Sequence, residues 1–393
     1  MKKYIVTVVC LAVLFSFCGC NMLTSDDSEN LEFHENAAYD SEMIDEDDDS
    51  FIFTWLSYME IAVSDTVKTE SAYNEHMSRL FENMKKAGVT DCFVQVRPFG
   101  DALYKSEIFP VSEYAKKADF DVLALILSQA QSYDIKVHAW INPYRLADNI
   151  TFKGYGEQSG EIIVTASGRY LNPSADKVRS LIISGVRELL TNYDISGIHI
   201  DDYFYPPDMN SADGVQYEQY KKNGGGLSLD SWRRENVSTL LESLYITVKA
   251  YGEDKIFSVS PSGDIDKNIN QIYADVALWC SEEGYCDIII PQIYFGFDNE
   301  HLPFEETLEK WVEMTDRAKV KLVPALALYK AGREDIYAGK GKDEWQKSSD
   351  IISRQVQCLK KHNLTSFGLY SASYINFSKT FLFNELNNLK SVL

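Results

Sequence analysis

Short apolar runs alternate along this chain with longer stretches in which apolar residues recur every three to four positions, from residue 51 to the C-terminus. The pattern predicts repeated βα units, the short runs forming strands and the longer ones amphipathic helices. Strands are expected at 51–58, 92–97, 136–142, within 197–206, and at 255–260, 287–294, 321–328 and 366–370. Pro98 and Pro143 close the second and third, since proline cannot donate to a ladder. Helices are expected near 72–87, 120–133, 231–251, 304–318, 343–362 and 378–392. One more follows Ser174, which can cap it, and carries Val178, Leu181, Ile182, Leu189 and Leu190 on one face. Eight strands each followed by a helix make an α/β fold, a (β/α)8 TIM barrel, for which about 250 residues is typical. The excess length falls in enlarged βα loops at 146–170 and 207–229, which would wall a groove. No linker interrupts 51–393, so this is one domain.

Chemistry concentrates in the fourth strand, Gly197-Ile198-His199-Ile200-Asp201-Asp202-Tyr203-Phe204-Tyr205-Pro206. Strand side chains alternate, so Ile198 and Ile200 face the helices while His199 and Asp201 face the other way. Barrel chemistry sits at the C-terminal ends of strands, where Asp201 and Asp202 stand, although such a pair can also cap a turn. The pattern repeats around the ring in Gln95 and Arg97, in His138, Trp140 and Asn142, in Ser258 and Ser260, and in Gln292 and Tyr294. A buried polar group without a partner costs roughly 1–3 kcal/mol, so several converging on one mouth point to a ligand. Trp140, Tyr203, Phe204, Tyr205, Tyr294 and Phe295 add aromatic faces of the kind on which sugar rings stack. Each has a plainer reading: His138 and His199 as bonded interior residues, the aromatics as core, and Arg97 as the partner that holds Asp201 or Asp101 ionised.

Composition separates the two ends of the chain. Met1-Lys2-Lys3 and the apolar run through Phe17 form an export signal, too short for a membrane span. Phe17-Cys18-Gly19-Cys20 resembles the lipobox of bacterial lipoproteins, in which Cys20 is lipidated after cleavage, anchoring the chain on the extracytoplasmic face of the membrane. The alternative is an ordinary signal that leaves Cys20 a free thiol. Residues 1–20 are thus a signal and 21–50 a tether without Lys or Arg, whose acids cluster at 45–49. The net charge of −21 splits into +2 from Lys2 and Lys3, −12 from the tether and −11 from everything after Ser50, and with no basic stripe nucleic acid is not an expected partner. Cys92 and Cys358 read as core residues, and Cys280 and Cys286 flank a turn where a local disulfide could form. No Cys or His spacing suggests zinc, and no cofactor or metal is expected.

Many short motifs together resemble one family. Trp55-Leu56-Ser57-Tyr58, Gln95-Val96-Arg97-Pro98 with 100–104, His138-Ala139-Trp140-Ile141-Asn142-Pro143-Tyr144-Arg145, Leu171-Asn172-Pro173, 197–206, Trp232-Arg233-Arg234, Ser260-Pro261 with Gly263, and Pro291-Gln292-Ile293-Tyr294 are similar to the glycosyl hydrolase-like 10 family. The resemblance implies a (β/α)8 domain on an exported or lipid-anchored bacterial protein that hydrolyses glycosidic bonds, with cell-wall glycan strands as the leading substrate. Residues 197–206 also resemble the family 18 chitinase strand Asp-Gly-x-Asp-x-Asp-x-Glu: Asp201 matches its last Asp, His199 replaces an Asp, and Tyr203 stands where the acidic Glu belongs.

Glycoside hydrolysis normally uses two carboxyl groups, one protonated and one ionised. Asp201 is expected to be the ionised member, with Arg97 or His199 beside it, and Asp202 ranks second. Glu60, Asp101 and Asp264 each lie just beyond a strand end and are the candidates for the acid. Arg97, His138, Trp140, Asn142, Tyr144, Arg145, His199, Tyr203, Tyr205, Ser260, Gln292 and Tyr294 are expected to bind the glycan. Two readings from other classes stay open: a glycan-binding lipoprotein without activity, and a metal-dependent hydrolase using His199, Asp201 and Asp202.

Overall fold

The computed structural model describes residues 50–206 and 208–393; the expected signal, Cys20 and the tether through residue 49 lie outside the described residues. Along the chain come β1 (Ile52–Leu56), α1 (Glu70–Lys86), β2 (Asp91–Arg97), α2 (Val122–Ser132) and β3 (Lys136–Ile141). The long loop after β3 holds an antiparallel sheet of β4 (Arg145–Leu146), β5 (Ile162–Thr165) and β6 (Gly168–Leu171), with β6 central, and leads to α3 (Asp176–Asn192). β7 (Gly197–Ile200) is followed by α4 (Gly214–Lys222), α5 (Leu229–Lys249), β8 (Ile256–Val259), α6 (Ile265–Asn270), α7 (Val276–Ser281) and β9 (Ile288–Ile289). The rest comprises α8 (Phe304–Met314), β10 (Lys321–Leu322), β11 (Ala325–Leu326), α9 (Glu344–Lys347), α10 (Ile351–Lys361), β12 (Phe367–Leu369) and α11 (Thr380–Lys390).

The main sheet is parallel, in the order β10-β9-β8-β7-β3-β2-β1-β12-β11. Its two end strands, β10 and β11, are separated in sequence only by Val323 and Pro324. Across that gap Val323 N donates to Ile289 O at 3.0 Å and Gly368 N donates to Pro324 O at 2.9 Å. They are therefore halves of one stave, split where proline has no donor, and eight staves close the ring of a (β/α)8 TIM barrel. Ile198 and Ile200 pack between the staves and the helices, as alternation predicts. Phe53, Trp55, Phe93, Trp140, Ile288 and Val323 fill the interior.

Several local expectations change. The predicted sixth strand keeps only Ile288–Ile289 in the ladder, because Pro291 interrupts it and Gln292 continues as an isolated bridge to Ser262 and Ala325. Ser174 does not cap α3; its hydroxyl donates to Asn172 Oδ1 at 2.8 Å, and Ala175 takes the cap position. The helix expected at 343–362 is two, α9 and α10, divided at Ser348 to Asp350, where short polar side chains bond locally and compete with the helix. Cys280 and Cys286 are buried free thiols, so the open question of a disulfide between them is answered in the negative.

The insertion after β7 is fastened to α5 by a buried ion pair. Arg233 Nε donates to Asp213 Oδ2 at 2.8 Å, and the same guanidinium reaches the Tyr273 hydroxyl at 2.8 Å and the Asn210 carbonyl at 2.6 Å. Gly368 on β12 shows how tightly the interior is filled: a Cβ there would lie 2.5 Å from Trp55 Cη2. Overpacking of this kind typically costs about 1–3 kcal/mol. Gly368→Ala is expected to lower the urea midpoint accordingly, while Gly226→Ala, whose Cβ would meet nothing within 4 Å, leaves it within error.

Candidate active site at the open end of the barrel

Just past the last paired residue of β7, the backbone delivers Asp201, only 4% exposed. Its Oδ2 accepts from Trp140 Nε1 at 2.9 Å, and its Oδ1 accepts from Asn142 Nδ2 at 3.2 Å and from Tyr203 N at 3.3 Å. All three donors are neutral. Burial, then repulsion from Asp202, pushes the Asp201 carboxyl up to about 7, against the pull of these donors. The expectation that a neighbouring cation holds Asp201 ionised is therefore corrected. The β2–β3 register shifts between Gln95 and Arg97, and Arg97 makes neither a hydrogen bond nor an ion pair with Asp201. Its guanidinium lies 4.6 Å over the Phe109 ring and donates only to the Asn142 carbonyl, and burial pushes its pKa down to about 10.

His199 is an interior residue. Trp55 Nε1 donates to its Nε2 at 3.0 Å, which leaves the proton on Nδ1 to donate to Ser258 Oγ at 2.8 Å. The ring stacks on Phe93 at 3.8 Å, and burial, then His138, lowers its pKa, so it is neutral. Both nitrogens are taken, which leaves His199 no lone pair to offer a metal beside Asp201. His138 pairs with Asp91 at 2.9 Å at the opposite, N-terminal end of the strands and takes no part in the mouth.

Asp202 turns toward β8 and β9. Its Oδ2 lies 3.7 Å from Lys267 Nζ; burial raises its pKa, and Lys267 and the Gln292 side chain oppose the rise. Gln292 Nε2 also donates to Ser260 O at 3.0 Å, while Ser260 itself is buried and donates to Ile290 O at 2.8 Å, a strand-to-strand tie. Tyr294 is raised by burial, then by Tyr370, Tyr329, Asp202 and Tyr203, which places these groups around one space. Its ring is 5.5 Å from Tyr370 and 5.7 Å from Tyr329.

On the other side Tyr203, 49% exposed, packs 4.5 Å from Arg145 Cζ, and Phe99 packs 4.6 Å from the same atom. Asn142 joins the two sides: its Oδ1 accepts from Arg145 N at 2.9 Å while its Nδ2 holds Asp201. A cavity of about 410 Å³ opens here between Phe99, Tyr114, Arg145 and the β4–β6 sheet. The two enlarged loops meet where Ser167 Oγ donates to Asp208 Oδ1 at 2.6 Å, so they wall the groove together.

The other predicted site residues are committed elsewhere. Glu60 accepts from Ser57 N at 2.7 Å, Ser373 N at 2.7 Å and Ser371 Oγ at 3.1 Å, which ties the β1 and β12 loops together and leaves neither oxygen unbonded. Asp101 is buried and accepts from Phe99 N at 2.9 Å. Asp264 is the N-cap of α6, accepting from Lys267 N at 3.2 Å. Tyr144 is fully buried with no partner for its hydroxyl. Tyr205 is wedged against α5, where Asn236 donates to its hydroxyl at 3.2 Å. Sequence reasoning overlooked Tyr370, Tyr329, Tyr58 and Phe99, although Tyr58 and Tyr370 follow their strands as Asp201 follows β7. Among the described residues no group of three or more His, Cys, Asp or Glu is placed to hold a metal.

Comparison with known proteins places this geometry in context. The chain is 31% identical over 282 residues to the glycosyl hydrolase YngK of Bacillus subtilis, an alignment that covers 64% of this chain and 55% of that protein. It therefore spans little more than half of that relative. It is 28% identical over 315 residues to the glycosyl hydrolase DigH of Escherichia coli K12, covering 71% of each. In fold it is similar to α-L-fucosidase isoenzyme 2 from Paenibacillus thiaminolyticus, with a TM-score of 0.55 at 12% identity over 87% of this chain and 49% of that one. Residues 58–340 match the family model described as glycosyl hydrolase-like 10, and the chain belongs to that family.

Proposed function

We propose that this chain is a glycoside hydrolase of bacterial cell-wall glycan strands of the N-acetylhexosamine type, exported and held at the membrane surface by a lipid on Cys20. The observation that carries the hydrolase reading is Asp201, a carboxyl buried at the open end of the barrel among three neutral donors, where burial pushes it up to about 7. Such a group suits proton transfer to a leaving glycosidic oxygen, because a catalytic acid works best with a pKa near the working pH. Asp202 is the second carboxyl; burial raises its pKa too, Lys267 beside it opposes the rise, and in its ionised form it balances positive charge developing on the sugar. Trp140 and Asn142 fix the carboxyl, and Tyr203, Tyr294 and Tyr370 offer faces for pyranose rings. The roles thus reverse the simplest sequence expectation, with Asp201 as the acid.

The names of the two curated relatives support hydrolysis of a glycan, and the lipobox-like Phe17-Cys18-Gly19-Cys20 supports the anchor. The deciding experiment is mass-spectrometric product analysis after incubation with peptidoglycan, peptide-free glycan strands and chitin oligomers. Asp201→Asn is expected to lower turnover by roughly 10²–10⁴-fold with the circular dichroism spectrum unchanged; full turnover would remove Asp201 from the chemistry. In the wild type, activity is expected to fall as pH rises through about 7, where Asp201 loses its proton. Asp202→Asn removes the like charge that raises this group, so in kcat/KM profiles the alkaline limb shifts to lower pH. Cys20→Ser, followed by membrane fractionation and labelled palmitate, is expected to release the protein from membranes and abolish labelling without changing the activity of the purified domain.

A further inference from the structure

The cavity between Phe99, Tyr114 and the β4–β6 sheet contains a cation, Arg145, for which the mechanism has no use. Arg145 opens β4 three residues after Asn142, and its backbone N–H is anchored on the Asn142 side chain at 2.9 Å. Its guanidinium is packed 4.6 Å over Phe99 and 4.5 Å over Tyr203. Among the described residues, no acceptor or carboxylate takes any of its N–H donors. Three acids share the wall, and none of them is ion-paired with Arg145: Asp101 accepts from Phe99 N, Glu113 pairs with Lys116, and Asp148 stands exposed at the rim. Two aromatic rings hold the group still, which removes much of the entropy cost of binding to it. They cannot supply hydrogen bonds to its edge.

We infer that Arg145 is the anchor of a subsite for a planar anion, a carboxylate carried on the sugar next to the bond that is cut. A fixed guanidinium fork matches a carboxylate in two parallel hydrogen bonds, a match that neither a hydroxyl nor an acetamide oxygen can make. Tyr203 contributes twice, donating its backbone N–H to Asp201 and laying its ring on Arg145. Loading the subsite therefore presses on the segment that carries the acid, and the sugar recognised lies within one residue of the cleavage point. The cavity, about 410 Å³, is large enough for a substituted pyranose. The subsite rests on the hydrolase reading for its purpose, and on Arg145, Phe99 and Tyr203 for its existence.

The test compares an N-acetylhexosamine oligosaccharide bearing one ether-linked carboxylate with the same compound after reduction of that carboxyl to the alcohol. Binding is measured by calorimetry on the Asp201→Asn protein, and cleavage on the wild type. The carboxylate form is expected to bind and to be cut about 10- to 100-fold better. Arg145→Gln is expected to erase the preference between the two forms, and Arg145→Lys to restore it only in part. Equal handling of both forms by the wild type, or a preference that survives in Arg145→Gln, overturns the subsite. The two readings fail separately: cleavage of both compounds at one rate keeps the hydrolase and removes the subsite, whereas selective binding of the carboxylate without any cleavage does the reverse.

Discussion

A carboxyl group taken out of water without a counter-charge is the constraint on which this molecule turns. Asp201 is held by an indole, an amide and a backbone N–H, three neutral donors that orient it but supply no positive charge. Desolvation therefore wins, and the carboxyl is pushed up to about 7. A guanidinium in contact would have locked it ionised. That Arg97, beside an irregularity in the β2–β3 register, lies over the Phe109 ring and not on Asp201 is as much a part of the arrangement as the residues that touch Asp201.

The donors are themselves positioned from below. Trp140 and His199 lie opposite each other on β3 and β7, and His199 is fixed by Trp55 on one side and Ser258 on the other. Phe93 stacks on the imidazole, and Gly368 leaves the space that the Trp55 indole occupies. The interior of the barrel is thus a bonded aromatic column whose top member holds the reactive group. Both nitrogens of His199 are bonded in place, and His138 is tied through Nε2 to Asp91, which accounts for two histidines lying inside without serving as ligands.

Much of this was legible in the order of residues. Alternation in 197–201 put Asp201 and His199 on the opposite face from Ile198 and Ile200, and the eight-fold count of strands gave the closed ring. Strand ends named Trp140, Asn142, Gln292 and Tyr294. What could not be read was anything decided by contacts between distant segments. Nothing local to Glu60 reveals that Ser371 and Ser373 consume its carboxylate, and nothing local to Asp264 distinguishes a catalytic acid from a helix cap. Tyr370 was overlooked because its strand is short and otherwise apolar, so its single polar tip carried no visible pattern. The protonation of Asp201 depends on burial, which is a property of the whole fold.

The clamp between Asp213 and Arg233 has an evolutionary consequence. Both partners are almost inaccessible, and Arg233 also grips the Asn210 carbonyl and the Tyr273 hydroxyl. The chain from Asp201 to Asp213 is therefore pinned at its far end, and residues 214–228 form a separate excursion beyond the pin. Insertions, deletions or replacement in that excursion reach Asp201 only past this pin, through the excursion's packing on Trp232 and on the other enlarged loop. Descendants of such a scaffold can reshape what they accept along the groove while inheriting the chemistry unaltered.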